Sequence, residues 1–288
     1  MFIRYGFAID LLFQQPATFF TLMDIHPDRR SDIVSETSFE LASNLRMHRF
    51  IDAFGNICRR IETPGGLVQL RCEGLIEDSG KPDPVVPSAT QTPVERLPPD
   101  TLRYLAASRY CETDLMSNFA WQNFGHIVGG WQKVQAICDF VHDWIRFDYG
   151  FALPTRTAAQ VFEGRVGVCR DFAHLAVTLC RCLNIPARYC NGYLGDIGVP
   201  FNPDPMDFNA WFEVYLDGAW LLFDARHNER RIGRITIARG RDAVDTAMIS
   251  SFGPHILQRF EVTTAEEPEP PAHIRPAPQP QVPRLAVA

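Results

Sequence analysis

Short runs that alternate apolar and polar residues dominate the first 77 positions. FIRYGFAIDLLF (2–13) and ATFFTLMDI (17–25) are strand-like with imperfect alternation. HRFIDAFGNICRRIE (48–62) carries Gly55-Asn56 at its middle, a hairpin signal between two such runs. GLVQLRCEGLI (66–76) alternates cleanly after the turn Pro64-Gly65-Gly66. Several short strands with no helical period predict a β-sandwich over residues 1–77. The charged stretch HPDRRSD (26–32) reads as a solvated turn. Residues 78–99 are too rich in proline for a helix or a central strand and predict an extended linker.

The period then changes. TLRYLAASRY and LMSNFAWQNFG are helical in pattern, and GWQKVQAICDFVHDWIRFDY places Val134, Ile137, Cys138, Val141, Trp144 and Ile145 at helical spacing. His142 lies in that helix as a lone, structural histidine. A short helix in TRTAAQVFEG leads to Cys169 and an almost wholly apolar segment that stops at Asn184-Ile185-Pro186. Strand patterns resume in ARYCNGYLG, MDFNAWFEVYL and AWLLFDA, followed by short strands and turns. Residues 100–264 therefore form a second, α+β domain. Residues 265–288, proline-rich and aperiodic, read as a disordered tail.

Composition narrows the function classes. The chain has 288 residues, 46% hydrophobic and 22% charged, with a net charge of -6 and no block of Lys or Arg, which argues against nucleic acid. The N-terminus is too broken by Arg4 and Asp10 for a signal peptide, and no run of about 18 apolar residues marks a membrane span. The eight cysteines, mostly inside apolar runs, then read as reduced thiols of a cytoplasmic protein. Cys180, Cys182 and Cys190 do not match a zinc spacing and are assigned to the core.

Cys169 stands where a helix begins, and a helix N-terminus favours thiolate over thiol. On that helix Phe172, Leu175, Ala176, Leu179 and Leu183 form the packing stripe. His174 points away from Cys169, since five residues are roughly 140° around the axis. Asp171 and Arg170 flank the thiol, the former suited to the dipole yet opposed to thiolate formation if close. Further on, Asp217-Gly218 predicts a tight hairpin in which paired positions sum to 435. Trp211 then faces Asp224, Asn209 faces Arg226, and Asn209 and Asp224 become diagonal neighbours on one face. Arg226 is placed to bind a carboxylate or to pair with Asp224. Tyr193 and Trp211 are candidates to line a substrate groove or to fill the core. Arg230, Arg231, Arg234, Arg239 and Arg241 form a basic series that reads as a salt-bridged face.

GVCRDFAHLAVTLCRCLNIPARYCNGYLG followed by DFNAWFEVYLDGAWLLFDARHN resembles the bacterial transglutaminase-like superfamily, cysteine enzymes with a papain-like core. The resemblance covers roughly residues 100–260, and the β-rich first part is similar to the domain that often precedes such cores. It implies an α+β fold with the nucleophile-bearing helix packed on an antiparallel sheet, Cys169 as nucleophile and Asp224 as orienting carboxylate. It further implies acyl transfer at a peptide or protein amide through a thioester, hydrolysis more than cross-linking, no metal or organic cofactor, and ATP-grasp peptide ligases as partners. The family's histidine position holds Asn209, which cannot carry a proton at neutral pH. Three readings follow. His227 supplies the base if the chain turns sharply after Ala225; Asn209 serves as an orienting or oxyanion donor in an altered mechanism; or the site is degenerate and binds a peptide or protein without turnover.

Overall fold

In a computed structural model, residues 1–37 and 45–268 are described. Strands β1 (Phe2–Phe13), β2 (Ala17–Thr21), β3 (Ile33–Glu36), β4 (Arg46–Ile51), β5 (Ile57–Thr63) and β6 (Gly66–Glu77) open the chain. Helices α1 (Thr113–Phe124), α2 (Gly130–Trp144), α3 (Ala158–Gly164) and α4 (Cys169–Cys182) follow, with the two-residue strands β7 (Arg146–Phe147) and β8 (Val166–Gly167) between them. Strands β9 (Ala187–Tyr193), β10 (Asn209–Leu216), β11 (Ala219–Phe223), β12 (Ile235–Gly240), β13 (Ile249–Phe252) and β14 (His255–Glu267) complete the described chain.

The strand periodicity of the first 77 residues builds two four-stranded antiparallel sheets, β14-β1-β6-β3 and β13-β2-β5-β4. Both take their last member from the far end of the chain. The boundary expected at residue 264 is thus corrected: β13 pairs with β2, and β14 pairs with β1 along nearly its whole length. The physical reason lies in β1. It is a 12-residue apolar-alternating strand with two edges, one taken by β6. Its other edge would leave a row of unpaired N–H and C=O groups if β14 did not cover it. Residues 265–267, read as the start of a tail, belong to β14, while the tail expected over 269–288 lies outside the described residues.

Residues 78–99 run extended, as their prolines require, but as a docked strap rather than a free linker. Val86 and Ala89 pack on the helical core. The Ala89 carbonyl accepts from the N–H groups of Gly130 and Trp131 at the start of α2, satisfying donors that a helix N-terminus leaves without partners. Gln91 donates to the Leu183 carbonyl just past α4. The 26–32 stretch, expected as a solvated turn, is a 3-10 turn that joins the two halves: His26 N–H donates to the Thr236 carbonyl and Arg29 to the Arg234 carbonyl.

The second half is a four-stranded antiparallel sheet, β11-β10-β9-β12, with α4 against β10 and β9 and the other helices against α4. The hairpin forms in the register read from the sequence, with Phe212 opposite Phe223 and Glu213 opposite Leu222. Asp217 and Gly218 both take positive φ, 49° and 85°, which a two-residue turn of this twist demands. Helix α4 is buried almost throughout because it is surrounded: β9 and β10 of the sheet and helices α1, α2 and α3 all pack on it. The two halves share one apolar cluster in which Tyr193, Phe208, Ile235 and Ile237 pack among Ile3, Tyr5 and Phe7.

Candidate active site

Cys169 is the first residue of α4 and is partly buried. Asp171 is fully buried and caps the helix: one carboxylate oxygen accepts from the Val168 N–H at 2.9 Å and the other from Arg170 at 3.1 Å. Its charge is thereby spent on the helix start. The Cys169 Sγ lies 4.0 Å from the Phe208 carbonyl, which pins it against the beginning of β10. Burial pushes the thiol up to about 11, against the pull of the Arg226 guanidinium, while the Asp207 carboxylate adds to the rise. Backbone N–H groups of Ala210 and Arg170 are placed to stabilise a thiolate there. His174, as expected, is structural. It stacks between Tyr110 and Tyr189 and accepts from the Ala243 N–H through Nε2, and burial keeps it neutral.

Asn209 and Arg226 do meet, Arg226 donating to Asn209 Oδ1 at 2.7 Å, but the contact lies beyond the ladder, whose last pair is Phe212 opposite Phe223. The Asn209 amide donates to the carbonyls of Leu194 and Asp207. Both ends of that side chain are occupied, so it serves as a clamp and directs no hydrogen at the thiol. The Arg226 guanidinium lies over the Phe147 ring, 4.0 Å from its centroid, and its backbone carbonyl meets His142 Nδ1 at 2.8 Å. His142 thus holds the turn that carries Arg226.

Asp224 does not orient Asn209. Strand β11 ends at Phe223, and Asp224 Oδ1 accepts from the backbone N–H groups of Arg226 and His227, which folds the chain back sharply. This is the turn after Ala225 that a role for His227 required. Asp224 Oδ2 then meets His227 Nδ1 at 2.8 Å and accepts from Arg234 at 2.8 Å. Burial alone would raise the Asp224 carboxyl, but Arg234 and His227 outweigh it and hold it far below the usual carboxylate range. Arg234 is fixed in turn by Asp83 of the strap at 2.8 Å. No hydrogen bond joins His227 to Cys169 among the described residues.

Asn209, Arg226 and His227 line a cavity of about 270 Å³ together with Tyr149, Asp207 and Arg231. The thiol does not line it, yet its two strongest charged neighbours, Arg226 and Asp207, both do. Two sequence candidates are corrected. Trp211 and Tyr193 are fully buried and line no groove. Trp211 packs under Arg234, and Tyr193 packs against Tyr5 and Phe208 between the two halves, because inward positions of β9 and β10 face the shared core. The basic series is salt-bridged or bonded to carbonyls throughout: Arg230 donates to the Asp83 carbonyl, Arg231 pairs with Asp196, Arg239 with Glu213 and Arg241 with Asp245. Among the described residues no group of three His, Cys, Asp or Glu side chains is arranged to hold a metal.

Asp207, Arg234 and His142 were not singled out from the sequence as parts of the site. Only Asp207 had a usable signal. It is two residues before Asn209, so strand alternation places it on the same face.

A thiol at the start of a helix packed on an antiparallel sheet, with a buried carboxylate at the end of the neighbouring hairpin, defines the class: a transglutaminase-like, papain-like core. Residues 127–225 match the model of the transglutaminase-like superfamily. A solved structure of a candidate cysteine protease from Cytophaga hutchinsonii is 29% identical, with a TM-score of 0.78 over 92% of this chain and 90% of that one. An uncharacterised protein of Mycobacterium leprae is 34% identical over 89 residues, which span 30% of this chain and only 32% of that relative. The periplasmic domain of TgpA from Pseudomonas aeruginosa aligns over 77% of this chain at 14% identity, with a TM-score of 0.37.

Proposed function

We propose that the chain is a cysteine amidase or peptidase that forms a thioester at Cys169, with His227 and Asp224 serving as the proton-carrying dyad in place of the missing histidine at position 209. The observation that carries this reading is the 2.8 Å bond from His227 Nδ1 to Asp224 Oδ2. It leaves Nε2 of an oriented imidazole as the second ring nitrogen, on a side chain that lines the cavity shared with Arg226 and Asn209. In the first half-reaction the Sγ–C bond forms, the thiol proton passes to His227, and the amide C–N bond breaks. Water then cleaves the thioester and returns the thiol. The full-length likeness to a candidate cysteine protease supports the reaction class.

The test is acylation by 4-nitrophenyl acetate followed by mass spectrometry of the Cys169 peptide. Cys169→Ala should abolish the adduct, and His227→Ala should slow its formation about 10²-fold, the lower end of general-base contributions. Wild-type rates in His227→Ala would end the dyad's role. Two observations favour a second reading: the thiol is pushed up to about 11, and Asn209 is bound by Arg226. On that reading the site holds a peptide or protein without turnover. It predicts no acyl adduct in the wild type, and a Cys169→Ala protein that still performs its role in the cell.

A further inference from the structure

Two carboxyl groups serve this site, and their surroundings differ in kind. Asp224 accepts four hydrogen bonds, one from the buried Arg234 guanidinium, and is locked in its ionised form. Asp207 sits in the loop just before β10, and among the described residues its side chain accepts only from the Phe208 N–H, at 2.7 Å. It is directly bonded to no cation, and burial raises its carboxyl above the usual range. Where two carboxyls of one site are driven apart in this way, the raised one is the better proton donor.

Position agrees with that assignment. Asp207 precedes the residue whose carbonyl pins the Cys169 sulfur, and its own carbonyl anchors Asn209. It lines the same cavity as Arg226 and His227. Its charged and titratable surroundings are Cys169 from α4, Tyr149 from the turn after β7, Arg226, His227, Glu229 and Arg231 from the segment after β11, and Asp196 and Asp204 from its own loop. The dyad leaves one task open: a poor leaving group, the amide nitrogen, needs a proton as the C–N bond breaks.

We propose that Asp207 supplies that proton, so that the site is built to release amines rather than only activated acyl groups. This rests on the acyl-transfer reading above. Cys169 Sγ bonds to the carbonyl carbon and its proton goes to His227. The Asp207 carboxylic acid protonates the departing nitrogen and becomes carboxylate. In the second half-reaction that carboxylate takes a proton from the attacking water, and the thiolate leaving the thioester regains its proton from His227. All atoms and charges are then restored.

The experiment compares two acyl donors on the full chain, 4-nitrophenyl acetate, whose leaving group needs no proton, and an N-acetyl dipeptide alkylamide. In Asp207→Asn, which keeps an acceptor for the Phe208 N–H, amide cleavage should fall about 10²-fold. Ester acylation should change far less than amide cleavage, because 4-nitrophenolate leaves without taking a proton. Asp207→Glu should recover part of the amide activity. Equal losses on ester and amide, or an unchanged amide rate, would overturn the assignment while leaving the thioester reading intact. Absence of any wild-type adduct with the ester would overturn both.

Discussion

At Cys169 burial and charge oppose each other, and burial wins. With a pKa of about 11 the free thiol is almost wholly protonated at neutral pH, so attack has to be coupled to proton removal rather than preceded by it. Iodoacetamide labelling of Cys169 should therefore rise with pH and reach its midpoint near 11; a midpoint near 8.5 would show a thiol unaffected by its surroundings. Arg226 is the opposing cation, so Arg226→Gln should move the midpoint higher still and slow labelling at every pH below it. Asp224 poses the converse case. Its folded carboxyl is depressed, so its contribution to stability is present above the unfolded carboxylate range, near pH 3.9, and is lost as pH falls below it. Arg234→Gln removes the buried partner and should cost about 3 kcal/mol at pH 7 by urea unfolding, since breaking one side of a buried pair leaves a charge stranded. A loss under about 1 kcal/mol would mean that His227 and the backbone donors suffice. Cys169 was legible from its place at a helix start, and Asn209, Arg226 and Asp224 were legible from alternation and the hairpin sum. The partners Asp83 and Arg234 were not, because each reaches the site from a separate segment with no periodic relation to it.

Among the elements, β9 is tightly confined. It lies between β10 and β12, and at Gly192 the neighbouring strands leave no room for a side chain. A Cβ there would fall 2.0 Å from the Ile235 carbonyl oxygen and 2.9 Å from the Trp211 ring. Both neighbours are fixed, one by the backbone and one by the core, so the sheet would have to part. Gly192→Ala should therefore lower stability by about 2 kcal/mol or more, read as a shift in the urea midpoint at unchanged slope. A neutral Gly192→Ala would show that β12 can move. Elements whose pattern is local were readable in advance: the α2 stripe, the α4 stripe, and the hairpin at Asp217-Gly218. The pairing of β14 with β1 was not. It joins Phe2 to Glu267, and β14 is mostly exposed along its length, so no alternation marks its partner. A chain ending at Met248 loses β13 and β14, strips one edge from each N-terminal sheet, and should lose near-UV circular dichroism and helical signal together.

For the whole molecule the decisive feature is that its two halves are not independently packed. Tyr193, Phe208 and Ile237 from the second half fill the same cluster as Ile3, Tyr5 and Ile9 from the first. The halves are also closed by the return of β13 and β14 to the N-terminal sheets. Separating them would expose large apolar surface on both sides, so unfolding should be a single transition with equal calorimetric and van't Hoff enthalpies. His26 offers a probe of that coupling. It is 6% exposed at the junction, where its Nδ1 accepts from the Asp28 N–H and its ring neighbours Arg239 of β12. Burial, reinforced by Arg239, lowers its pKa to about 4. The folded state thus keeps His26 neutral while the unfolded chain binds a proton below about pH 6.5. Its contribution is fully present above that pH, is lost progressively between 6.5 and about 4, and changes no further below 4. The total loss is on the order of 3 kcal/mol. His26→Gln should flatten the stability profile over that interval. Because the junction joins both halves, the wild-type loss should appear in one transition monitored equally by tryptophan fluorescence and far-UV circular dichroism. Two separate transitions, or a pH effect confined to one probe, would mean that the halves unfold independently and that the shared cluster is weaker than its burial implies.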